Sequence, residues 1–352
     1  MGFNFEKEYA SCAEINILWE KLYGKSILIV GATGLIGKYL IRVLLERNAA
    51  HNARIKIVAM GRSKSKFKER FTDIPNYEDI LFIEHDIQKP FIYAERLDYI
   101  VHMASNVHPR LYAKEPIATE MTNILGAYYL LELASKMKGC RFVFVSSGDV
   151  YGDNRSGKEY VSEEECGYFD CNTLRAGYIE GKRASEALCN AFSEEKGVDF
   201  VIARLCRVYG ATMQIDDSKA ISQFINKAVM KADIILKSEG TQTFSYLYVY
   251  DVVSALLTIL TQGKSGEAYN VADNGQVASL KQLAEILRKF GECGVLYDLP
   301  DDAEAVGASS FQDIRLDATK LCGLGWKSQV PLDEGLQHTV DKLREIMSVN
   351  GY

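Results

Sequence analysis

The sequence predicts an α/β protein built on a doubly wound parallel sheet, with a smaller α/β lobe towards its C-terminus. Two observations lead to this prediction. Short apolar runs alternate with longer segments of helical periodicity, as in parallel sheets that are covered on both faces. A glycine-rich turn joins the first run, Ser26–Val30, to the first helical segment, and this order is typical of a Rossmann-type sheet.

The turn after this first strand predicts a dinucleotide site. Glycines permit a tight turn and the close approach of a phosphate, while the following helix offers N–H groups and the positive end of its dipole. A plain β-turn-α corner can also use glycines, and this is the alternative interpretation. The predicted cofactor-binding residues of the turn are Gly31, Thr33, Gly34, Leu35, Ile36 and Gly37.

The remaining elements follow in the same alternation. Strands are predicted over residues 54–60, 81–84, 98–103, 141–145 and 200–204, with helices over 1–24, 116–137 and 178–195. After Gly210 the pattern predicts strands over 234–236 and 244–249 and helices over 218–230, 251–261 and 280–290. The predicted domains are an N-terminal helix (1–23), an NAD(P)-binding domain (24–208, with a return segment near 245–265) and mainly a substrate lobe (209–352).

The composition narrows the classes of function. A chain of 352 residues that is 47% hydrophobic can bury a large core. A net charge of −6, without basic runs interleaved with aromatic residues, argues against a nucleic-acid or anionic membrane partner. No signal-peptide pattern and no membrane-spanning apolar stretch is found, so we expect a cytoplasmic protein.

Cysteine and histidine spacing does not predict a metal site. The eight cysteines show neither a C-x-x-C pair nor histidine spacing typical of zinc, so we expect buried free thiols. His102 and His108 were considered as a base or as ligands, but neither has a carboxylate at metal spacing. Because His102 closes an apolar strand, a hydrogen-bonded core histidine is the favoured interpretation.

Three residues on the predicted carboxyl edge of the sheet could perform acid–base chemistry. Tyr178 and Lys182 are four apart and share a helix face, and Ser147 ends the fifth strand. A tyrosine becomes a usable base near neutral pH only beside positive charge, which Lys182 would supply, while Ser147 would orient a substrate hydroxyl. Tyr-x-x-x-Lys also occurs by chance on helices, but its order after the glycine turn and the serine strand favours the catalytic interpretation.

Five motifs together resemble the extended short-chain dehydrogenase/reductase family, the NAD-dependent nucleotide-sugar epimerases and dehydratases. Within that family the chain resembles the UDP-glucuronate decarboxylases, through YIEGKRASE at 178–186, DSKAISQF at 217–224 and GTQT at 240–243. The five motifs are GATGLIG at 31–37, SSGDVYG at 146–152, YIEGK at 178–182, RLCRVYG at 204–210 and DATKLCGLGW at 317–326.

The resemblance implies a specific chemistry and set of partners. Such enzymes hold NAD tightly and oxidise a nucleoside-diphosphate sugar at C4, and the 4-keto sugar then loses a proton, water or carbon dioxide, or is reduced. The resemblance also implies adenine contact by Asp86 with Ile87 beside it, a place near the active site for Asn123, and a homodimer through the helices at 116–137 and 178–195. A turn role for Asp86 and a helix–helix contact for Asn123 are the alternatives.

Several departures from the family pattern bear on the substrate. Where decarboxylases and dehydratases carry an acid pair after the serine, this chain has Gly148 and Asp149, so Asp149 is either the one catalytic carboxylate or a turn residue. Phe244 replaces an arginine, and Arg207 replaces an asparagine. We expect Arg207 to bind the substrate diphosphate in place of the missing arginine, with a salt bridge as the alternative.

Two features of the sequence favour different cofactors. The second strand ends at Gly61 and Arg62, which suits the 2′-phosphate of NADP, whereas the resemblance favours NAD. The sequence thus predicts an NAD-dependent nucleotide-sugar-modifying enzyme that acts through a 4-keto intermediate. An NADPH-dependent keto-sugar reductase and a non-catalytic NAD(P)-sensing scaffold are the alternatives.

Overall fold

The computed structural model describes residues 3–75, 77, 80–106, 114–153, 157–173, 176–215, 217–298 and 313–349. The strands are β1 (Ser26–Val30), β2 (Lys56–Gly61), β3 (Leu81–Glu84), β4 (Tyr99–His102), β5 (Arg141–Ser147), β6 (Asp199–Leu205), β7 (Arg207–Tyr209), β8 (Ile234–Leu236), β9 (Thr243–Tyr248), β10 (Glu267–Val271), β11 (Val277–Ser279), β12 (Val295–Tyr297) and β13 (Asp313–Ile314). The helices are α1 (Glu8–Ala13), α2 (Leu35–His51), α3 (Lys64–Phe71), α4 (Pro116–Ser135), α5 (Ala176–Lys196), α6 (Ala220–Val229), α7 (Val249–Gln262), α8 (Leu280–Gly291), α9 (Thr319–Cys322) and α10 (Leu332–Val349).

The main sheet is the doubly wound parallel sheet that the sequence predicts. It has seven strands in the order β10-β6-β5-β4-β1-β2-β3. The chain runs outward from β1 through β2 to β3, then crosses back to β4 on the other side of β1. A crevice therefore opens at the carboxyl ends of β1 and β4, where such sheets bind ligands. The seventh strand, β10, was not predicted.

Alternate residues of β1 enter two separate cores, which is why this strand is continuously apolar. Ile27 and Ile29 pack in the core that contains Val43 of α2. Leu28 and Val30 pack in the core on the other face, with apolar residues of α4 and α5. Each fully buried side chain of this kind stabilises the fold by roughly 1.5–3 kcal/mol. The sheet is thus covered by helices on both faces.

A smaller sheet is centred on β9, and the chain enters it directly from the main sheet. Strand β11 pairs antiparallel with β9, whereas β7 and β13 pair parallel with it. Only Cys206 separates β6 from β7, so the chain passes directly from the main sheet into the smaller one. This passage brings Arg207, the first residue of β7, to the carboxyl edge of the main sheet. The predicted domain boundaries stay a prediction.

The predicted leading helix over residues 1–24 is wrong. The segment consists of a single-turn helix at Phe5–Lys7, the six-residue α1 and another single turn at Trp19–Lys21. Both a long-range contact and a local one hold these short pieces in place. The Phe5 ring stacks on His338 of α10 with ring centroids 3.8 Å apart, and the Trp19 indole N–H donates to the Ile15 carbonyl at 2.9 Å. Helix α3 was not predicted either.

The expectation of buried thiols is confirmed for only part of the cysteines. All eight are free, and Cys12, Cys140 and Cys189 are buried, but Cys166 and Cys322 are among the exposed ones. Within the described ranges, no helix is both long enough and apolar enough to span a membrane.

Candidate active site

A cavity of about 640 Å³ lies at the carboxyl edge of the main sheet. It is lined by the ends of β1, β2 and β5, by the first turns of α2 and α5, and by residues of β7 and β9 from the smaller sheet. Its volume lies within the range of small-molecule and cofactor pockets, which is roughly 300–1,000 Å³. Every predicted site residue lines this cavity except Asn123.

A Cβ atom would have a different steric effect at each of the three glycines of the turn. Gly31 has a φ of +91°, and a Cβ there would lie 2.9 Å from the Ala104 backbone nitrogen. A Cβ on Gly37 would overlap the Gly31 carbonyl oxygen, so this glycine lets α2 pack on the turn. Gly34 has an ordinary φ of −76°, and a Cβ there would meet only the Gly31 oxygen at 3.3 Å. Gly34 therefore leaves space on the cavity side rather than inside the protein.

The turn fits the diphosphate of a dinucleotide. Gly34 is the N-cap of α2 and has no side chain to cap the first N–H groups of the helix. Because Gly34, Leu35 and Ile36 all line the cavity, this helix N-terminus opens onto it. A side chain larger than that of glycine would fill this cradle. A bound anionic group requires the space that the glycine leaves open.

Arg62 and Asp86 line a part of the cavity that is distant from β5, the strand that ends at Ser147. Arg62 follows β2, which is separated from β5 by β1 and β4. One Asp86 carboxylate oxygen accepts the backbone N–H of Gln88 at 3.1 Å, the turn contact that was weighed as the alternative role. Ile87 is buried beside it and also lines the cavity. Their cofactor-binding roles stay predictions.

Ser147, Tyr178 and Lys182 line the same part of the cavity. The Lys182 ammonium donates to the Val145 carbonyl of β5 at 2.8 Å and lies 4.7 Å from the centroid of the Phe144 ring. Burial lowers the pKa of Lys182 to about 7. The Ser147 hydroxyl oxygen accepts the Asp149 N–H at 3.2 Å, which fixes the start of the turn after β5. Their catalytic roles stay predictions.

Hydrogen bonds attach α5 to the end of β5 and so set the place of Tyr178. The Arg183 guanidinium donates to the Val150 carbonyl at 2.8 Å and to the Gly167 carbonyl at 2.9 Å. Deeper in the protein, Arg204 of β6 binds Glu186 of α5 with its closest nitrogen–oxygen distance at 2.6 Å. The helix that carries Tyr178 and Lys182 is therefore held to both neighbouring strands.

Asn123 lies between α4 and α5 rather than on the cavity surface formed by the described residues. It is 0% exposed, accepts the Ser105 hydroxyl at 2.8 Å and donates to the Thr119 carbonyl at 3.0 Å. A Cβ on Gly181 of α5 would lie 3.2 Å from the Asn123 Cβ, so the two helices pack closely here. The contact matches its alternative role, and substrate binding by Asn123 stays a prediction.

Asp149, Arg207 and Phe244, which mark departures from the family pattern, meet in one cluster. The two terminal nitrogens of Arg207 donate to the two carboxylate oxygens of Asp149 at 2.9 and 3.3 Å. The guanidinium carbon lies 4.8 Å from the centroid of the Phe244 ring. The salt bridge that was weighed as the alternative for Arg207 is thus present, and binding of the diphosphate by Arg207 stays a prediction.

His102 is a core residue but is not hydrogen-bonded as expected. It is 0% exposed, and neither ring nitrogen has a hydrogen-bond partner in the part of the chain that the structure describes. Burial, together with the nearby charge of Lys182, lowers the pKa of His102 to about 3, so the ring is neutral. His108 lies outside the described residues. Within the described ranges, no group of three or more His, Cys, Asp or Glu residues could hold a metal ion.

Some cavity residues were not predicted from the sequence. The segment after β4 presses on the glycine turn through Ala104 and also lines the cavity with Ser105 and Asn106. Its position at the carboxyl end of a central strand was the available signal. Cys206, which separates β6 from β7, and Gln242, which directly precedes β9, also line the cavity.

A doubly wound sheet with a glycine cradle at its carboxyl edge defines a nucleotide-binding fold, and Ser147, Tyr178 and Lys182 line the same cavity. A model of the NAD dependent epimerase/dehydratase family matches residues 27–272, and the chain belongs to this family. The resemblance read from the motifs is confirmed, as is the expected cofactor, NAD. The chain is an enzyme of this NAD-dependent class.

Similar proteins carry more specific names. UDP-glucuronic acid decarboxylase 1 of Xenopus tropicalis is 32% identical over 325 residues, which cover 91% of this chain and 72% of that protein. UDP-glucuronic acid decarboxylase 5 of Arabidopsis thaliana is 30% identical over 314 residues, covering 88% and 86%.

Solved structures share the fold. A UDP-glucose 4-epimerase of Thermotoga maritima has a TM-score of 0.78 and 23% identity over 92% of this chain and 99% of that one. A dTDP-glucose 4,6-dehydratase of Streptomyces venezuelae, solved with NAD bound, has a TM-score of 0.77 and 23% identity over 92% and 98%. At this identity they support the fold alone.

Proposed function

We propose that this chain modifies a nucleoside-diphosphate sugar by oxidising its C4 hydroxyl to a 4-keto intermediate. The observation that carries the proposal is the placement of Ser147, Tyr178 and Lys182 around the cavity that also contains the glycine cradle. The similarity to UDP-glucuronic acid decarboxylases supports a uridine nucleotide. The 4-keto sugar would then be epimerised, dehydrated or decarboxylated.

The chain's own residues would divide the proton chemistry among them. Tyr178 accepts the proton of the C4 hydroxyl, and the Ser147 hydroxyl holds that oxygen in line. The Lys182 ammonium favours the phenolate form of Tyr178 by its charge, and its bond to the Val145 carbonyl keeps it in place. NAD, held by the glycine turn when bound, supplies the hydride acceptor for C4 oxidation.

Asp149 is the carboxylate available for the step after oxidation. It follows Ser147 by two residues, and its side chain lines the cavity. A carboxylate near C5 of a 4-keto sugar can take up the proton that is acidified by the neighbouring ketone. The bond from Arg207 holds it in one orientation. Which product forms depends on the substituents that this carboxylate meets.

A keto-sugar reductase that uses NADPH is the second candidate. Arg62, Ser63 and Lys66 line the cavity at the end of β2, where a 2′-phosphate would bind. The two candidates differ in what the purified protein retains. Heat release followed by mass spectrometry should yield NAD from a redox-neutral enzyme, whereas an empty protein with higher affinity for NADPH supports the reductase.

We also propose that the protein is a cytoplasmic homodimer that pairs through α4 and α5. The exposed apolar side chains Ile117 (77%) and Tyr128 (40%) on α4 support this interface. Leu130 and Leu133 of α4 do not support it, because both are buried in the core within the monomer.

The test of the proposed activity uses UDP-glucose and UDP-glucuronic acid with NAD in deuterated water. We expect a product that differs from the substrate at C4, C5 or C6, identified by mass spectrometry and NMR, with solvent deuterium at C5 where the proton next to the 4-ketone was removed. The Tyr178→Phe variant is the control and should form product more slowly by on the order of 10²-fold or more. Equal conversion by the parent and the variant would remove the proposed site from the reaction.

A further inference from the structure

We propose that the Asp149–Arg207 pair makes this site select a nucleotide sugar whose C5 substituent is uncharged, and reject one that carries a carboxylate there. The inference rests on the proposed function, since it concerns the sugar whose C4 hydroxyl meets Tyr178. It narrows the proposed function to epimerisation or dehydration, and it separates this chain from similar proteins that are named as decarboxylases of UDP-glucuronic acid.

The position of the pair follows from the strands that carry it. Asp149 lies in the turn after β5, and Arg207 begins β7, directly after β6 and Cys206. Strands β5 and β6 are neighbours, and Ser147 pairs in register with Leu205. Both members of the pair therefore come to the cavity beside Ser147. In this proposal the sugar binds with C4 at Ser147 and Tyr178 and with C5, rather than C3, towards this pair.

The charge of the pair is already balanced. Arg207 binds both carboxylate oxygens of Asp149 in a two-pronged arrangement, and its side chain is 31% exposed while that of Asp149 is 12% exposed. Such bidentate pairs are among the stronger charge-assisted contacts in proteins. A neutral hydroxymethyl group at C5 can approach this pair without adding charge to the cavity.

A second carboxylate would meet unfavourable surroundings. It would face the Asp149 carboxylate, and Arg207 could bind it only by leaving Asp149 without this partner in a largely buried place. The wall behind the pair is apolar, formed by Leu205, Phe244 and Leu316. Phe244 also covers one face of the Arg207 guanidinium, at 4.8 Å from ring centroid to guanidinium carbon, and so restrains its movement.

The other cationic side chains of the described cavity lining either lie away from the Asp149–Arg207 pair or already have a hydrogen-bond partner. Arg62 follows β2 and Lys66 is in the first turn of α3, and β2 is separated from β5 by β1 and β4. Lys182 donates to the Val145 carbonyl, and Lys219 is bonded to Asp217 at 2.8 Å. The pair is thus the charged feature of the described lining that a C5 substituent would meet first.

The test compares two ligands that differ only at C6, UDP-glucose and UDP-glucuronic acid, with UDP as the nucleotide control. Binding is measured by calorimetry with NAD present, in the Tyr178→Phe background so that conversion of the sugar is slow. We expect UDP-glucose to bind at least tenfold more tightly than UDP-glucuronic acid. Adding Asp149→Asn, which leaves Arg207 facing a neutral amide of the same shape, should reverse the preference by at least tenfold in the ratio of dissociation constants.

A third variant tests whether Arg207 causes the reversal of the preference. Adding Arg207→Met to the Asp149→Asn protein should abolish the gain for UDP-glucuronic acid, measured as the ratio of its dissociation constant to that of UDP in the same protein, so that a contact of Arg207 with the diphosphate cancels. Equal or tighter binding of UDP-glucuronic acid in the starting background, with UDP bound, would overturn this inference and leave the proposed function standing. Failure of UDP and of both sugars to bind would overturn the proposed function and this inference with it.

Discussion

A substitution at Gly34 tests cofactor binding separately from folding, which a substitution at Gly31 or Gly37 does not. Gly31 and Gly37 cannot accept a Cβ without backbone overlap, whereas Gly34 has an ordinary φ and only one contact at 3.3 Å. We therefore expect Gly34→Val to keep a folded protein and to lose NAD affinity by tenfold or more, because the branched side chain would fill the diphosphate cradle. Calorimetric titration with NAD measures this.

Gly275→Val is the matched control for the turn. A Cβ on Gly275 would also meet one polar atom at 3.3 Å, an Asp273 carboxylate oxygen, but Gly275 does not line the cavity. Its NAD affinity should equal that of the parent. If Gly34→Val binds NAD as tightly as the parent does, the turn has a structural role only.

Tyr178→Phe should lower turnover by on the order of 10²-fold or more with little change in substrate affinity, since the ring stays and only the proton acceptor is lost. Steady-state kinetics give both quantities. Tyr297→Phe is the control, because Tyr297 lies on β12 and is 48% exposed. Unaltered turnover in Tyr178→Phe would exclude this hydroxyl from the chemistry.

Some residue pairings in the site could not be derived from sequence. The motifs predicted that Ser147, Tyr178 and Lys182 reach one edge of the sheet, because each follows from a strand end or a helix period. The bond between Asp149 and Arg207 joins residues 58 apart and depends on the break of β6 at Cys206, which has no distinctive pattern. The buried state of Asn123 depends likewise on the close packing of α4 and α5.

At the scale of single elements, His102 at the end of β4 gives the stability of the fold a predictable pH dependence. Its pKa is lowered to about 3 by burial, against about 6.5 in an unfolded chain, so only the unfolded state binds the proton between these values. The stability that this neutral histidine contributes is complete above pH 6.5 and is lost as the pH falls towards 3. We expect His102→Phe, which has no group to protonate, to avoid this loss.

Urea unfolding at several pH values measures the effect. The difference in unfolding free energy between His102→Phe and the parent should be constant above pH 6.5 and should shift in favour of the variant as the pH falls. A constant offset across the whole range would show that His102 does not bind a proton on unfolding, whatever packing cost the phenylalanine adds.

The elements themselves were predictable where one pattern dominates. The bounds of β1, β3 and β8 are those expected, because each is a short apolar run between polar residues. Strand β10 was missed because its sequence, EAYNV, includes a polar residue that is nevertheless buried. Asn270 is 0% exposed and its amide bonds to Tyr151 and to two backbone carbonyls, contacts that only the folded chain supplies.

For the whole molecule, we predict a homodimer through α4 and α5. Light scattering at micromolar concentration should give twice the monomer mass for the parent. Ile117→Glu on α4 should give a monomer, because it places a charge in the apolar contact. The control is Ile92→Glu, since Ile92 is 88% exposed and lies outside both helices. A monomeric parent, or a dimer that Ile117→Glu leaves intact, would contradict this interface.

The central claim concerns the whole site, that the chain removes a hydride from C4 of a nucleoside-diphosphate sugar while Tyr178 takes the hydroxyl proton. Its most direct test is rapid mixing of the NAD-loaded enzyme with UDP-glucose that carries hydrogen or deuterium at C4. We predict a transient near-ultraviolet absorbance of reduced nicotinamide that forms more slowly with deuterium and does not form in Tyr178→Phe. Product formation with no reduced nicotinamide and no effect of deuterium at C4 would contradict the account.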